Sequence, residues 1–126
     1  MTCIFCDLIT PEQILLESDQ FKLVFDIDPI QTGHLLLISK RHVLSMADLS
    51  LSERHELVDL EARLIALLEA HLPIDGVTLA SNDKGLIDEG THFHVHLIPR
   101  CTGDGFWDKI DLETCQWELE TFLKAL

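Results

Sequence analysis

His92-Phe93-His94-Val95-His96-Leu97-Ile98-Pro99 sets three of the chain's seven histidines at alternate positions. Successive side chains of a strand point to opposite faces, so a strand here carries the three imidazoles on one face, spaced about 6.5 Å apart. Phe93, Val95 and Leu97 point the other way. The pattern is a core-packing face backed by a chemical one, and ordinary core building does not require so many imidazoles together.

Three chemistries fit such a face. A polar sheet surface that happens to carry histidines is the plainest. A metal hydrolase would use two or three imidazoles to hold zinc and activate water. In nucleophilic catalysis, a neutral imidazole nitrogen would attack phosphorus and form a phosphoramidate that water later opens. Histidine suits that last role because its unperturbed pKa of about 6.5 leaves it mostly neutral near pH 7.

Working outward, Thr91 to Ile98 reads as the histidine strand, preceded by a loop from Asp83 to Gly90 and a strand from Gly76 to Asn82. Further strands fall at Ile14 to Glu17, Phe21 to Asp26 and the nearly continuous apolar run His34 to Ser39, with a turn at Asp28 to Gly33. Ser50-x-x-Glu53 is a capping box that opens a helix to about Leu72, with apolar residues at 57, 60, 64, 67, 68 and 72. Leu112, Cys115, Leu119, Phe122 and Leu126 mark a closing helix capped by Asp111, which makes Cys115 core filler. Strands joined by short turns, with two helices to one side, give an α+β domain on a mostly antiparallel sheet.

The 126 residues, 47% of them hydrophobic, suit a single domain over residues 1–126. No apolar run approaches the roughly 18 residues needed to cross a bilayer, and Met1-Thr2-Cys3 lacks the basic flank of a secretory signal, so the expected location is the cytoplasm. A net charge of -13 argues against broad contact with a nucleic acid backbone or an anionic membrane. A small anionic ligand would need a local positive site, such as clustered histidines, backbone amides or a metal. The four cysteines read as thiols or ligands rather than disulfides.

His92-Phe93-His94-Val95-His96-Leu97-Ile98 resembles the His-φ-His-φ-His-φ-φ signature of the histidine triad (HIT) family of nucleotide hydrolases and transferases. Cys3-Ile4-Phe5-Cys6, Phe25-Asp26-Ile27, Gly33 to Ile38, Lys40-Arg41-His42, Asn82 and Pro99-Arg100 fall in the family's order, so the resemblance spans most of residues 1 to 105. It implies an antiparallel sheet of about five strands with two helices, paired as a homodimer. It also implies a purine nucleotide substrate, either a nucleoside 5'-phosphoramidate or a dinucleoside polyphosphate. His94 would be the nucleophile, His96 would stabilise the α-phosphate beside His34, and Asn82 would contact phosphate. Asp26 would accept hydrogen bonds from the ribose, while Ile4, Phe5, Leu8 and Ile27 line the base pocket.

Cys3 and Cys6 are spaced to grip one zinc from a tight turn. By the same resemblance, His42 and His92 are the remaining ligands of a structural Cys2His2 zinc, and no organic cofactor is expected. One departure stands out. Before the triad, nucleotide-hydrolysing members carry Gly-Gln-Ser or Gly-Gln-Thr on the leaving-group side, whereas this chain reads Gly85-Leu86-Ile87-Asp88-Glu89-Gly90-Thr91. That departure keeps a second reading open, a nucleotide-binding or interaction protein with little turnover.

Overall fold

The computed structural model describes residues 2–126. Its elements are α1 (Ile4–Asp7), β1 (Ile14–Glu17), β2 (Phe21–Phe25), β3 (Leu35–Ser39), α2 (Leu51–His71), β4 (Gly76–Ala80), β5 (His94–Arg100) and α3 (Glu120–Ala125), with short 3-10 turns between them. The strands form one antiparallel sheet in the order β1-β2-β3-β5-β4. This is the five-stranded architecture that the strand and helix pattern implies.

β3 lies at the centre, and all five of its residues are buried. A strand covered on both faces has no use for polar alternation, which accounts for its continuous apolar run. Its register with β5 sets Ile38 opposite His94 and Leu36 opposite His96, while Leu37 faces Val95 and Leu35 faces Leu97. Residues directly opposite share a sheet face. The first two pairs therefore lie on the histidine side, and the last two lie in the main core.

That core is closed by α2. Leu57, Leu60 and Leu64 pack against Phe21, Leu23, Leu35, Leu37, Phe93, Val95 and Leu97, each leucine contributing about 2 kcal/mol through burial. The capping box forms as expected: Ser50 Oγ accepts the Glu53 N–H at 3.0 Å, and Glu53 Oε1 accepts the Ser50 N–H at 2.8 Å. Arg41 donates to the same carboxylate at 2.8 Å, so Glu53 is held at about 2, and the turn after β3 is tied to the start of the helix. Leu67 and Leu72, at the far end of the expected stripe, stay partly exposed and line a groove with Leu15 and Phe25.

The opposite face receives the N-terminal segment. Cys3 and Phe5 pack on Val24, Leu36 and Ile38. The Ile4 N–H donates to the Gly90 carbonyl at 2.6 Å, which clips α1 to the loop before β5. Gly90 bends that loop at φ +82°, a conformation that costs glycine little.

Two expected elements differ. The histidine strand begins at His94, because Phe93 N–H donates to the Val43 carbonyl and Phe93 O accepts from Ser39, which keeps residues 92 and 93 on the turn after β3. The strand continues through Pro99 to Arg100 with β4 alone as its partner, an edge arrangement that tolerates proline. The closing helix from Asp111 is also corrected: residues 111–119 are not helical, α3 spans six residues, and Cys115 is exposed rather than core filler. Residues 111–126 are all exposed, so their apolar stripe meets no surface, and a short helix without tertiary packing is marginal in water. Among the described residues, no helix is long and apolar enough to cross a membrane.

Candidate functional site

His94 is 6% exposed, and its Nδ1 lies 2.7 Å from the carbonyl oxygen of His92. A carbonyl can only accept, so Nδ1 carries the proton and Nε2 holds the lone pair. Nε2 has no protein partner among the described residues, and it is not sealed from the cavity that His94 lines. The ring of Phe5 meets that of His94 edge-on, with centroids 4.9 Å apart, and restrains the imidazole from the side.

His96 receives its orientation from a second chain of bonds. The Ile30 N–H donates to His34 Nδ1 at 3.1 Å. A backbone N–H is an obligate donor, so His34 is neutral and protonated on Nε2. That Nε2 lies 2.9 Å from His96 Nδ1, which must then accept, and the His96 proton sits on Nε2. Burial pushes both groups below the ordinary histidine value, against an upward pull from Asp26.

Asp26 sits beside this pair. Its Oδ1 caps the following turn by accepting the Asp28 N–H at 2.9 Å, while Oδ2 stands 3.4 Å from His34 Nε2 and 3.9 Å from His96 Nδ1. Asp26, His34 and His96 bring ligand atoms within 4.8 Å of one another. The N–H of Ile30 already occupies the His34 lone pair, so this trio is built as a hydrogen-bonded relay rather than a cation cage.

These groups open on a cavity of about 310 Å³ lined by Ile4, Phe5, Leu8, Asp26, Ile27, His94 and His96 among others. All four residues expected in a base pocket are there. Ile27 is 88% exposed, an uncovered apolar side chain of the kind that a flat ring could bury. His34 lies behind His96 rather than on the wall. Asn82 is exposed beyond the end of β4 and does not line the cavity.

Gln13 lines the cavity but was missed in the sequence. Thr10 and Gln13 carry a capping-box pattern that could have revealed its position, since its Oε1 accepts the Thr10 N–H. Asp88, Glu89 and Thr91 also reach the cavity from the loop that departs from the family pattern. The Thr91 hydroxyl donates to the Asp88 carbonyl at 2.7 Å.

Cys3, Cys6, His42 and His92 converge separately, with one ligand atom each and all within 4.8 Å. His92 Nε2 lies 2.6 Å from the Ser39 carbonyl and must donate to it, which leaves Nδ1 as the lone pair, 3.3 Å from Cys3 Sγ and 3.6 Å from Cys6 Sγ. His42 Nδ1 is 3.3 Å from Cys6 Sγ. Zinc bonds of about 2.3 Å to sulfur and 2.0 Å to nitrogen hold those atoms about 3.5 Å apart in a tetrahedron. The donor set therefore fits. Burial and the adjacent Cys3 push the Cys6 thiol up. His94 belongs to neither group of candidate ligands, so the three histidines do not converge on one ion.

Residues 9–103 match the model of the HIT domain. An uncharacterized HIT-like protein of Mycoplasma genitalium is 34% identical over 113 residues, covering 83% of this chain and 78% of the relative. The bis(5'-adenosyl)-triphosphatase of Dictyostelium discoideum is 31% identical over 94 residues, 74% of this chain and 63% of that protein. A Zn-bound histidine triad family protein of Mycobacterium smegmatis has a similar structure, with a TM-score of 0.71 at 26% identity over 90% of this chain and 82% of that one.

The buried histidines make stability depend on pH. His34 and His96 titrate near 6.5 in an unfolded chain and below that in the folded one. Between the two values the unfolded state binds more protons, so their contribution is complete above about pH 6.5 and is lost as pH falls through it. The melting temperature should drop between pH 7.5 and 5.5, and less steeply in a His34→Asn/His96→Asn variant. Equal slopes in thermal denaturation of the two proteins would contradict this account.

Proposed function

The chain belongs to the HIT-domain family, and from that premise we propose that it is a nucleotidyl hydrolase or transferase. Its substrates would be purine nucleoside 5'-phosphoramidates or dinucleoside polyphosphates, handled through a covalent nucleotidyl intermediate on His94, with residues 1–126 forming one such domain. The observation that carries the reading is the His94 to His92 carbonyl bond, which fixes the tautomer and leaves Nε2 as a nucleophile open to the cavity.

In this reading Nε2 attacks the α-phosphorus, and the bond to the leaving group breaks, its electron pair departing with that group and a proton coming from solvent. As Nε2 is bonded, the imidazole gains positive charge, which the His92 carbonyl meets at 2.7 Å without reorganisation. His96 turns its Nε2–H toward the phosphoryl oxygens, because His34 holds its other nitrogen. Water then attacks phosphorus, the P–Nε2 bond breaks, a proton returns to solvent, and the nucleoside monophosphate leaves. Asp26 would receive the ribose hydroxyls on Oδ2, and Ile4, Phe5, Leu8 and Ile27 would enclose the base. Asn82 would serve as a phosphate contact only if the segment after β4 moved toward the cavity.

Replacing His94 with Ala should abolish nucleotide labelling of the protein and lower kcat/KM by about 10³-fold or more. Unchanged turnover would overturn the proposal. The second reading, nucleotide binding with little turnover, draws on the Thr91 hydroxyl being committed to Asp88. Tight nucleotide binding by calorimetry, with no hydrolysis of either substrate class, would favour it.

Cys3, Cys6, His42 and His92 would hold a structural zinc, which when bound cross-links α1 to the turn after β3 and to the backbone beside His94. Elemental analysis should find one zinc per chain. Cys3→Ser or Cys6→Ser should lose it and melt roughly 5–10 °C lower, and metal-free protein after purification without chelators would refute the site.

The homodimer is proposed on the apolar surface left uncovered. A groove of about 530 Å³ includes Leu15, Phe25, Leu67 and Leu72, and Leu112, Trp117, Leu119 and Phe122 are exposed nearby in sequence to α3. Sedimentation at micromolar concentration should give twice the chain mass. A monomer mass would exclude the pairing.

A further inference from the structure

We propose that Lys22 is a positioning residue of the site formed by Cys3, Cys6, His42 and His92, acting on the Cys3 sulfur through the peptide that joins Phe5 to Cys6. The inference rests on the zinc proposed above and names a residue outside the four ligands that sets how tightly they bind it.

Lys22 lies in β2 opposite Ile38, which itself stands opposite His94, so its side chain leaves the sheet on the histidine face. Val24, Leu36 and Ile38 on that face form the apolar floor on which Cys3 and Phe5 pack. The half-buried lysine stem has apolar cover there, and only its charged head must find a polar partner. No carboxylate pairs with that head among the described residues. Lys22 Nζ instead donates to the Phe5 carbonyl at 2.5 Å. A helix of four residues leaves its last carbonyls without helical donors, and the lysine supplies one.

A cap on a short helix would by itself only steady the turn. Here the capped carbonyl belongs to the same peptide group as the Cys6 N–H, and that N–H donates to Cys3 Sγ at 3.4 Å. The peptide is planar, so fixing its oxygen also fixes the direction of its N–H. A positive charge at the oxygen further polarises the group and strengthens the bond it gives to sulfur. Burial is the larger influence on Cys6 and His92, and the Lys22 charge lowers the proton affinity of both, so the ammonium stands close to two further ligands. A hydrogen bond to a thiolate draws charge off it, and a turn already held leaves less to be ordered when metal binds.

Metal-free protein is titrated with Zn2+ against a chromophoric chelator, and separately with Co2+, whose thiolate-to-cobalt charge-transfer band reports electron donation by the sulfurs. Lys22→Met keeps an unbranched stem and removes the charge and the donors, whereas Lys22→Arg keeps both. Lys22→Met should bind Zn2+ about tenfold more weakly than wild type. Its cobalt band should move to lower energy, because a sulfur that receives a weaker hydrogen bond gives up an electron more readily. Lys22→Arg should recover both properties, and Lys22→Leu repeats the comparison if Lys22→Met does not fold. An affinity or a band unchanged in the neutral variant, or no recovery in Lys22→Arg, overturns the inference and leaves the zinc proposal in place. Wild-type protein that takes up neither Zn2+ nor Co2+ overturns both.

Discussion

Where β5 pairs with β3, Ile38 stands opposite His94 and Leu36 opposite His96, so a one-residue slip would carry every imidazole into the main core and every core side chain out of it. Phe93, Val95 and Leu97, each nearly inaccessible, anchor the register from the α2 side. The hydrophobic energy of one face thereby fixes the position of the imidazoles on the other. Both sides must be covered for this to hold. α2 closes the first, and the N-terminal segment with Cys3 and Phe5 closes the second.

These imidazoles are oriented by main-chain atoms, His96 through the side chain of His34. The His92 carbonyl fixes His94, the Ile30 amide fixes His34 and through it His96, and the Ser39 carbonyl fixes His92. Backbone donors and acceptors cannot exchange roles, so each of these rings is held in one tautomer. Residues 92 and 94, separated only by Phe93, thus face two different ways from one short stretch of backbone: His92 turns its lone pair to the cysteines, and His94 turns its own to the cavity.

Much of this was legible in the sequence because it follows from short-range periodicity. The five strands, the capping box at Ser50 and Glu53 and the apolar spacing of α2 all express a period of two or of three to four residues. The gathering of Cys3 and Cys6 with His42 and His92, and of His34 with His96, came from the family resemblance, since no local pattern relates residues so far apart, whereas the approach of Asp26 to those two histidines emerged only in the structure. Gln13 escaped notice because its position depends on where a 3-10 turn sets β1 against the cavity. The helix expected from Asp111 failed for the opposite reason. Its apolar stripe is present, but periodicity cannot say whether any surface awaits it.

The sequence by itself determined which strand residues bury and which share the histidine face, because alternation along a strand is a property of the backbone alone. Tertiary structure decided the rest: which nitrogen of His34, His92, His94 and His96 carries the proton, that Asn82 stands away from the cavity while Asp88 and Glu89 line it, and that residues 111–119 form no helix. Those outcomes rest on hydrogen bonds and packing between segments distant in the chain, and such contacts exist only once the sheet has closed.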